Sequence, residues 1–231
     1  GSVTIPSGTT TIKANAFDGC SKVTSISIPV SVTAIGSGAF QYCSSLTSIS
    51  IPAGVTSIGY WVFDFCSNLS SIIVDPSNTA YKSADGVLYS KNGIEVIRCP
   101  EGKSGNCAIS YGATSIKAYA FYKCSIITDI TIPNSVKVIA DNAFVSCSGL
   151  TGVIIPGSVT SIGRASFDTC NNLTMFNVDE SNTVYKSIDG VLFSKDGTIL
   201  LNCPQGKSGS IAIPNGVTSI GECGFYCCSK L

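Results

Sequence analysis

The chain repeats itself at two periods, and this periodicity limits the folds available to it. Cys20, Cys43 and Cys66 follow one another at 23 residues, and each belongs to a unit that also carries Ile-Pro, Val-Thr and Ala-Phe. Cys124 lies 58 residues after Cys66, which corresponds to one short unit and one long unit of 35 residues, and the whole series recurs at 104 residues. Such periods are typical of solenoids, whose coils bury apolar faces only against neighbouring coils. We therefore expect a solenoid of about nine coils.

The repeat continues through the whole chain without a linker or a low-complexity segment. We expect one domain over residues 1–231, with a first super-repeat at 1–104, a second at 105–208 and the start of a third at 209–231. The third copy stops within a coil and has no polar cap of the kind that solenoids need for solubility. We interpret the chain as a piece of a longer protein.

Each unit has the pattern of a half-buried strand followed by a shorter return segment. Ile49 and Ile51 alternate with serines, which predicts a strand with one buried face, and the proline after it ends the hydrogen-bonded ladder. Val55 and Ile58 then predict a short β or 3-10 segment, and the Phe of Ala-Phe is predicted to lie in the core. The predicted strands should stack into one parallel sheet, and they end at Ile5, Ile28, Ile51, Val74, Ile109, Ile132, Ile155, Val178 and Ile213.

The long units contain an insertion with a hairpin signal. Asn-Gly at 92–93 lies between apolar-rich runs at 86–90 and 94–97, and Asp-Gly occupies the equivalent place at 196–197. We expect two β-hairpins. Two roles remain open for them, a structural flap over the core and a ligand-binding edge, because insertions in repeat proteins often collect on a binding face.

The unit Ile-Pro-x-x-Val-Thr-x-Ile-Gly-x-x-Ala-Phe-x-x-Cys-x-x-Leu-x-x-Ile resembles the BspA-like leucine-rich repeat over nearly the whole chain. The resemblance implies a leucine-rich-repeat solenoid, a right-handed coil with a parallel β-sheet on its concave face. Proteins of this type are typically secreted or displayed on the cell surface, where they are implicated in adhesion. The resemblance therefore implies an extracellular or cell-surface location. It also implies an extracellular protein or glycan as partner, for which a host matrix protein such as fibronectin is an example.

Twelve cysteines require a choice between disulfides, metal sites and free thiols. Seven occupy one repeat position, at 20, 43, 66, 124, 147, 170 and 228, where stacked side chains run parallel and are predicted to form a buried ladder of free thiols. A linear ladder does not supply the tetrahedral ligands of zinc, and we expect no metal. Cys99, Cys203, Cys223 and Cys227 lie off the ladder and are predicted to be more open to oxidation, and a Cys99–Cys107 disulfide is an alternative for that pair.

The composition argues against several classes of function. The chain has no His, which excludes Ser-His and Cys-His nucleophile pairs, and Asp75, Asp85, Asp179 and Asp189 lie beside turn formers and are interpreted as turn residues. We therefore expect no enzyme activity and no cofactor. Charged residues make up 12% of the chain and sum to zero, without the basic cluster that nucleic-acid binding requires. No apolar run approaches the roughly 20 residues of a membrane-spanning helix.

The candidate binding surface is the outward face of the predicted sheet. It comprises Ser25, Ser27, Ser48, Ser50, Ser71, Ile73, Asp129, Thr131, Gly152, Ile154, Met175 and Asn177. This small, nearly uncharged face suits an extended protein or glycan contacted over many coils, with Ile73 and Ile154 as candidate anchors. The alternatives are a purely structural spacer and, from the Thr and Ser columns, ice or glycan binding.

Overall fold

A computed structural model describes all 231 residues, which form short β-strands and turns without a helix. It divides into two compact units, Gly1–Lys103 and Ser104–Leu231. Each unit consists of successive coils in which a first strand, a turn, a two-residue strand and a turn containing Phe follow one another. The predicted solenoid fold is therefore confirmed.

The first unit contains ten strands in three kinds of sheet. Strands β1 and β3 pair in parallel, as do β5 and β7; the short strands β2, β4 and β6 form a second parallel sheet; and β8, β9 and β10 are antiparallel. Their bounds are β1 Ser2–Thr4, β2 Thr11–Ile12, β3 Ser25–Ser27, β4 Ala34–Ile35, β5 Ser48–Ile51, β6 Ser57–Ile58, β7 Ser71–Val74, β8 Tyr81–Ala84, β9 Val87–Ser90 and β10 Glu95–Arg98.

The second unit repeats this arrangement. Strands β11 and β13, and β15 and β17, are parallel pairs; β12, β14 and β16 are short parallel strands; and β18, β19 and β20 are antiparallel, with β21 parallel to β20. Their bounds are β11 Gly105–Ala108, β12 Ser115–Ile116, β13 Ile127–Thr131, β14 Val138–Ile139, β15 Gly152–Ile155, β16 Ser161–Ile162, β17 Met175–Val178, β18 Tyr185–Ile188, β19 Val191–Ser194, β20 Ile199–Asn202 and β21 Ser219–Ile220.

The Ile-Pro motif ends a strand and begins a turn. In β5, Ile49 and Ile51 are buried, and Ser48 and Ser50, which alternate with them, are exposed, as predicted. The Pro52 carbonyl then accepts a hydrogen bond from Val55 N–H at 3.2 Å, which closes the turn into β6. Gly59 follows β6 because a Cβ there would collide with the backbone of Ser37 in the preceding coil. The motif residues thus fix the direction of the chain and the close approach of coils.

The Ala-Phe turn links neighbouring coils through three backbone hydrogen bonds. Gly38, Phe40 and Tyr42 donate their N–H groups to carbonyls of the next coil at 2.9, 3.0 and 2.9 Å. Gly38 and Tyr42 have φ of 64° and 58°, and residues of non-glycine type such as Trp61 and Phe65 share this left-handed conformation in the following coil. Each coil therefore has two residues in the left-handed conformation, and their N–H groups point at the neighbouring coil. Non-glycine residues rarely adopt this conformation.

The phenylalanines of successive coils stack in the core, as predicted. Phe40 lies between Phe17 and Phe63, with ring centroids 5.5 and 6.0 Å away. In the second unit Phe144 lies between its two equivalents at 4.7 and 5.1 Å. Stacked rings add to the area that each coil buries.

The sheet of first strands is less continuous than predicted. It consists of two-stranded pairs in each unit, and residues 209–213 form no strand, although a strand ending at Ile213 was expected. The equivalent strand β11 pairs with the first strand of the following coil, β13.

The cysteine ladder forms hydrogen bonds between coils. All twelve cysteines are free thiols, and the Sγ atoms of Cys43, Cys66, Cys147 and Cys170 each donate to the carbonyl oxygen of the Phe 26 residues earlier, at 3.0–3.2 Å. The ladder positions Cys20 and Cys228 are only partly buried. Cys99 and Cys203, which were expected to be more open to oxidation, both follow a strand of the insertion and are buried, and burial argues against that expectation.

Native thiol labelling is expected to separate the cysteines into two groups. Burial raises the pKa of Cys43 to about 11 and those of Cys66 and Cys203 to about 12, so that very little thiolate forms near pH 8. Four thiols, at 20, 223, 227 and 228, should therefore react with N-ethylmaleimide in the folded protein, and the eight buried ones only after unfolding. Peptide mass spectrometry checks this. Labelling of Cys66 or Cys203 as fast as Cys227 in the folded protein would contradict it.

Candidate binding surface

The outward face of the first unit is lined by small hydroxyl side chains with one large apolar residue. Ser48 lies opposite Ser71, and Ser50 lies opposite Ile73, because β5 and β7 are in register. Ile73 leaves 51% of its surface exposed, since it points away from the core between buried neighbours. It is therefore the apolar contact that this strip of serines offers.

The second unit has a more apolar face. Gly152 lies opposite Met175, and Ile154 lies opposite Asn177, in the parallel pair β15–β17. The Met175 side chain reaches over Gly152, where an added Cβ would lie 3.5 Å from its Cγ. Ile154 and Met175 are 61% and 51% exposed. Together they form the larger apolar contact surface among the predicted face residues.

The predicted face residues do point outward. Of them, Ser71 and Gly152 are partly exposed, and the exposed ones are Ser25, Ser27, Ser48, Ser50, Ile73, Asp129, Thr131, Ile154, Met175 and Asn177. Their role in binding stays a prediction. The prediction omitted Ser2, Thr4, Asn106 and Ala108, which lie opposite members of the same rows and are exposed. Moving each row back by the 23-residue period would have found them.

The insertions cover the edge of a first strand. Gly86 accepts a hydrogen bond from Ile72 N–H at 2.9 Å, and the Ser83 hydroxyl accepts one from Val74 N–H at 2.9 Å. The hairpin prediction is confirmed, but the insertion has a third strand, β8, which the prediction missed. Asp85 and Gly86, with φ of 49° and 75°, form the primed turn that joins β8 to β9, and an Asp-Gly pair between two strands is its usual signal. The geometry favours the flap interpretation.

The acidic residues of the insertions hold turns. Lys103 Nζ donates to the carbonyl and the Oδ2 of Asp85 at 2.8 Å each, and Lys207 contacts Asp189 in the same way. Asp75 accepts a hydrogen bond from a backbone N–H two residues later. Hydrogen bonds from Ser181 to Asp179 lower the pKa of that carboxyl. The interpretation of these residues as turn formers is confirmed.

A buried asparagine supports each insertion, and the sequence prediction missed both. Asn78 donates from Nδ2 to the carbonyls of Pro52 and Val55, and its Oδ1 accepts from the N–H groups of Ala80 and Tyr81, all at 2.8–2.9 Å. Asn182 makes the same four bonds in the second unit. Both side chains are fully buried. Each amide therefore fixes the start of the insertion to the turn of the preceding coil.

The threonine columns have a structural role. The hydroxyls of Thr56 and Thr174 donate to the carbonyl oxygens of Thr33 and Thr151, each 23 residues earlier, at 3.4 and 3.0 Å. The Ser70 hydroxyl does the same at 3.1 Å. These hydrogen bonds join neighbouring coils, so the threonine columns have a structural role that requires no ligand.

The structure contains no group of three or more Cys, Asp or Glu side chains arranged to hold a metal ion. It also has no helix with the length and apolar character needed to cross a membrane.

The sequence matches one repeat family along its whole length. Residues 1–105, 99–204 and 202–231 match the BspA type leucine rich repeat region, in six copies. No protein of curated function is significantly similar in sequence.

Solved structures with the same fold come from bacteria. A leucine rich cell surface protein from Faecalibacterium prausnitzii is 28% identical, with a TM-score of 0.64, and the match covers 100% of this chain and 62% of that one. A leucine-rich repeat protein from Eubacterium ventriosum is 20% identical, with a TM-score of 0.63 over 98% of this chain and 82% of that one. The pneumococcal vaccine antigen PcpA is 18% identical, with a TM-score of 0.52 over 97% and 75%. The chain thus spans about three fifths of the Faecalibacterium protein.

Proposed function

This chain belongs to the BspA-type leucine-rich repeat family, and we propose that it is a non-enzymatic interaction module, secreted or displayed on a cell surface, that acts in adhesion. The similar Faecalibacterium protein is described as a cell surface protein. Leucine-rich repeat folds generally serve binding, and an extended solenoid face suits summed contacts with a large partner. The observation that carries the proposal is the outward face of each unit, where Ile73 in the first unit and Ile154 and Met175 in the second stay exposed among small side chains.

The chemistry of this face favours an extracellular protein or glycan as the partner. The chain has 14 basic and 14 acidic residues, and the face residues include a single charged side chain, Asp129. A partner held by phosphate contacts would need a cationic face. A matrix protein such as fibronectin offers long, mixed polar and apolar surfaces, and exposed aliphatic side chains would bury against it.

Binding to immobilised fibronectin and other matrix proteins tests the proposal. Saturable binding of the folded chain, absent for an unrelated leucine-rich repeat protein, is the expected result. A folded chain that binds no matrix protein, glycan or cell surface would instead favour a structural spacer, for which the hydrogen bonds between successive coils already provide the rigidity.

Ile154→Asp is expected to weaken matrix binding at least tenfold and to leave the fold intact. A carboxylate at the centre of an interface must lose its water, and central contacts typically contribute more than about 2 kcal/mol to binding. Ile73→Asp should act in the same direction. Surface plasmon resonance measures affinity, and circular dichroism confirms folding.

Ile126→Asp is the matched control, because Ile126 is 48% exposed but lies before β13, outside the outward rows. If Ile154→Asp and Ile73→Asp bind as the unchanged chain does, the outward face is not the binding surface, and the insertions become the next candidates.

A further inference from the structure

The second unit contains a cavity between the turn that follows β16, the strands of the insertion and the segment after β21. Its volume is about 190 Å³. Apolar side chains form much of its wall, and they include Ile162, Phe167, Leu192 and Leu201. An apolar cavity of about 150 Å³ is enough to hold benzene. This cavity is therefore large enough for a small organic ring.

The cavity lies where the repeat has lost large side chains. Three wall residues are smaller than the residues 104 positions before them: Ala165 corresponds to Trp61, Asn202 to Arg98 and Cys223 to Tyr119. The backbone has not changed with them, because φ is 52° at Ala165 and 57° at Trp61, and 61° at Cys223 and 60° at Tyr119. The space is thus left by the side chains, two of which are aromatic in the earlier copy.

Most polar groups of the wall already have partners within the protein. The Tyr185 hydroxyl accepts a hydrogen bond from Ile162 N–H at 3.0 Å, and the Ser166 hydroxyl donates to the carbonyl oxygen of Ala140 at 3.2 Å. The wall also contains the side-chain amide of Asn202, which has both a donor and an acceptor to offer. A ligand of this cavity therefore needs a large apolar surface and few polar atoms.

The charges at the cavity neutralise each other. Arg164 and Glu222 are the charged residues of the lining, and they form an ion pair at 2.8 Å in which each side chain is 65% exposed. A charged ligand would lose its water without gaining a free charge as partner. The cavity therefore favours a neutral ligand.

We propose that this cavity binds an indole ring, which lies against Phe167 and Tyr185 and donates its N–H to Asn202 Oδ1. Indole is neutral and planar, it has a single N–H donor, and aromatic rings in the wall offer it favourable contacts. It is also the ring that Trp61 supplies at the repeat position of Ala165. The ring comes either from a free indole compound or from a tryptophan side chain of a partner. This inference does not depend on the adhesive role.

Titration of the full chain with indole tests the proposal. In ¹H–¹⁵N spectra, the side-chain amide of Asn202 and the backbone amides of Ala165 and Cys223 are expected to shift saturably, with a dissociation constant on the order of 1 mM. Benzofuran has the same shape with an oxygen in place of the N–H, and it should bind about fivefold more weakly. Absence of saturable shifts overturns the proposal, and equal binding of the two rings overturns the hydrogen bond to Asn202.

Three variants locate the binding. Ala165→Trp and, independently, Cys223→Tyr restore the larger side chains of the earlier copy, whose left-handed backbone they share, and each should weaken indole binding at least tenfold. Asn142→Trp is the matched control, because Asn142 has the repeat position of Ala165 one coil earlier, with φ of 57°, and lies outside the cavity. It should leave binding unchanged. Unaltered binding in folded Ala165→Trp or Cys223→Tyr, with folding checked by circular dichroism, overturns the assignment.

A second ligand identifies the source of the ring. N-acetyltryptophanamide presents the indole as a peptide does, so binding of this compound at the same amides supports a tryptophan side chain of a partner. Binding of indole alone supports a small molecule. Failure of the chain to bind matrix proteins would not affect either result, because the cavity and the outward face share no residue.

Discussion

Replacing Asn78 with alanine is expected to lower the free energy of unfolding by about 3–5 kcal/mol. Its amide satisfies two carbonyls of the preceding turn and two N–H groups of its own segment, and it is inaccessible to water. Truncation leaves buried backbone groups that water cannot easily reach, and each such group costs about 1–3 kcal/mol. Asn182→Ala should have the same effect in the second unit, where the four contacts recur.

Urea unfolding followed by circular dichroism measures this loss, and hydrogen exchange localises it. The amides of Ala80 and Tyr81 donate to Asn78 Oδ1, and they should lose protection in the variant. Asn68→Ala is the control, because Asn68 is exposed and makes one side-chain hydrogen bond, to Ser44 O. Equal stability of the two variants, with protected amides at 80 and 81, would show that Asn78 does not support the insertion.

The role of Asn78 could not be predicted from its sequence neighbourhood. Pro-Ser-Asn-Thr at 76–79 consists of common turn residues, which usually lie at the surface. The burial of Asn78 depends on a contact with a coil 23 residues earlier, and local sequence carries no sign of it. The sequence does show that this asparagine is repeated, since Asn182 follows Asn78 at the 104-residue period.

The features that recur at the short period were predictable for a physical reason. A residue that repeats every 23 positions meets its own equivalent in the next coil, so that Phe40 stacks on Phe63 and Cys66 lies above Cys43. Strand alternation likewise identified Ile73 and Ile154 as outward residues. The burial of the Phe and Cys columns follows from the repeat pattern alone.

Other features of the structure cannot be recognised from the type of residue at the position. The left-handed position of the Ala-Phe turn is held by Trp61, Tyr119 and Ala165, none of which signals a positive φ as glycine would. There the hydrogen bonds between coils determine the backbone conformation. The expectation that Cys99 and Cys203 are more open to oxidation rested only on their position off the ladder, and local sequence gave no sign that the insertion buries them.

The burial of Arg98 was also missed, because an arginine in a chain with few charges looks like a surface residue. Arg98→Ala is expected to lower the free energy of unfolding by about 3–5 kcal/mol. The variant lacks the guanidinium that Asp64 and Glu101 contact, and both carboxylates are then buried without their cation. Urea unfolding at neutral pH measures the loss.

The cause of that loss can be separated from simple truncation by a matched arginine. Arg164→Ala removes an equally long side chain, but its ion pair with Glu222 is mostly exposed, and the expected cost is at most about 1 kcal/mol. If both variants lose the same stability, Arg98 contributes through packing alone, and its ion pairs do not explain why a charge is buried there.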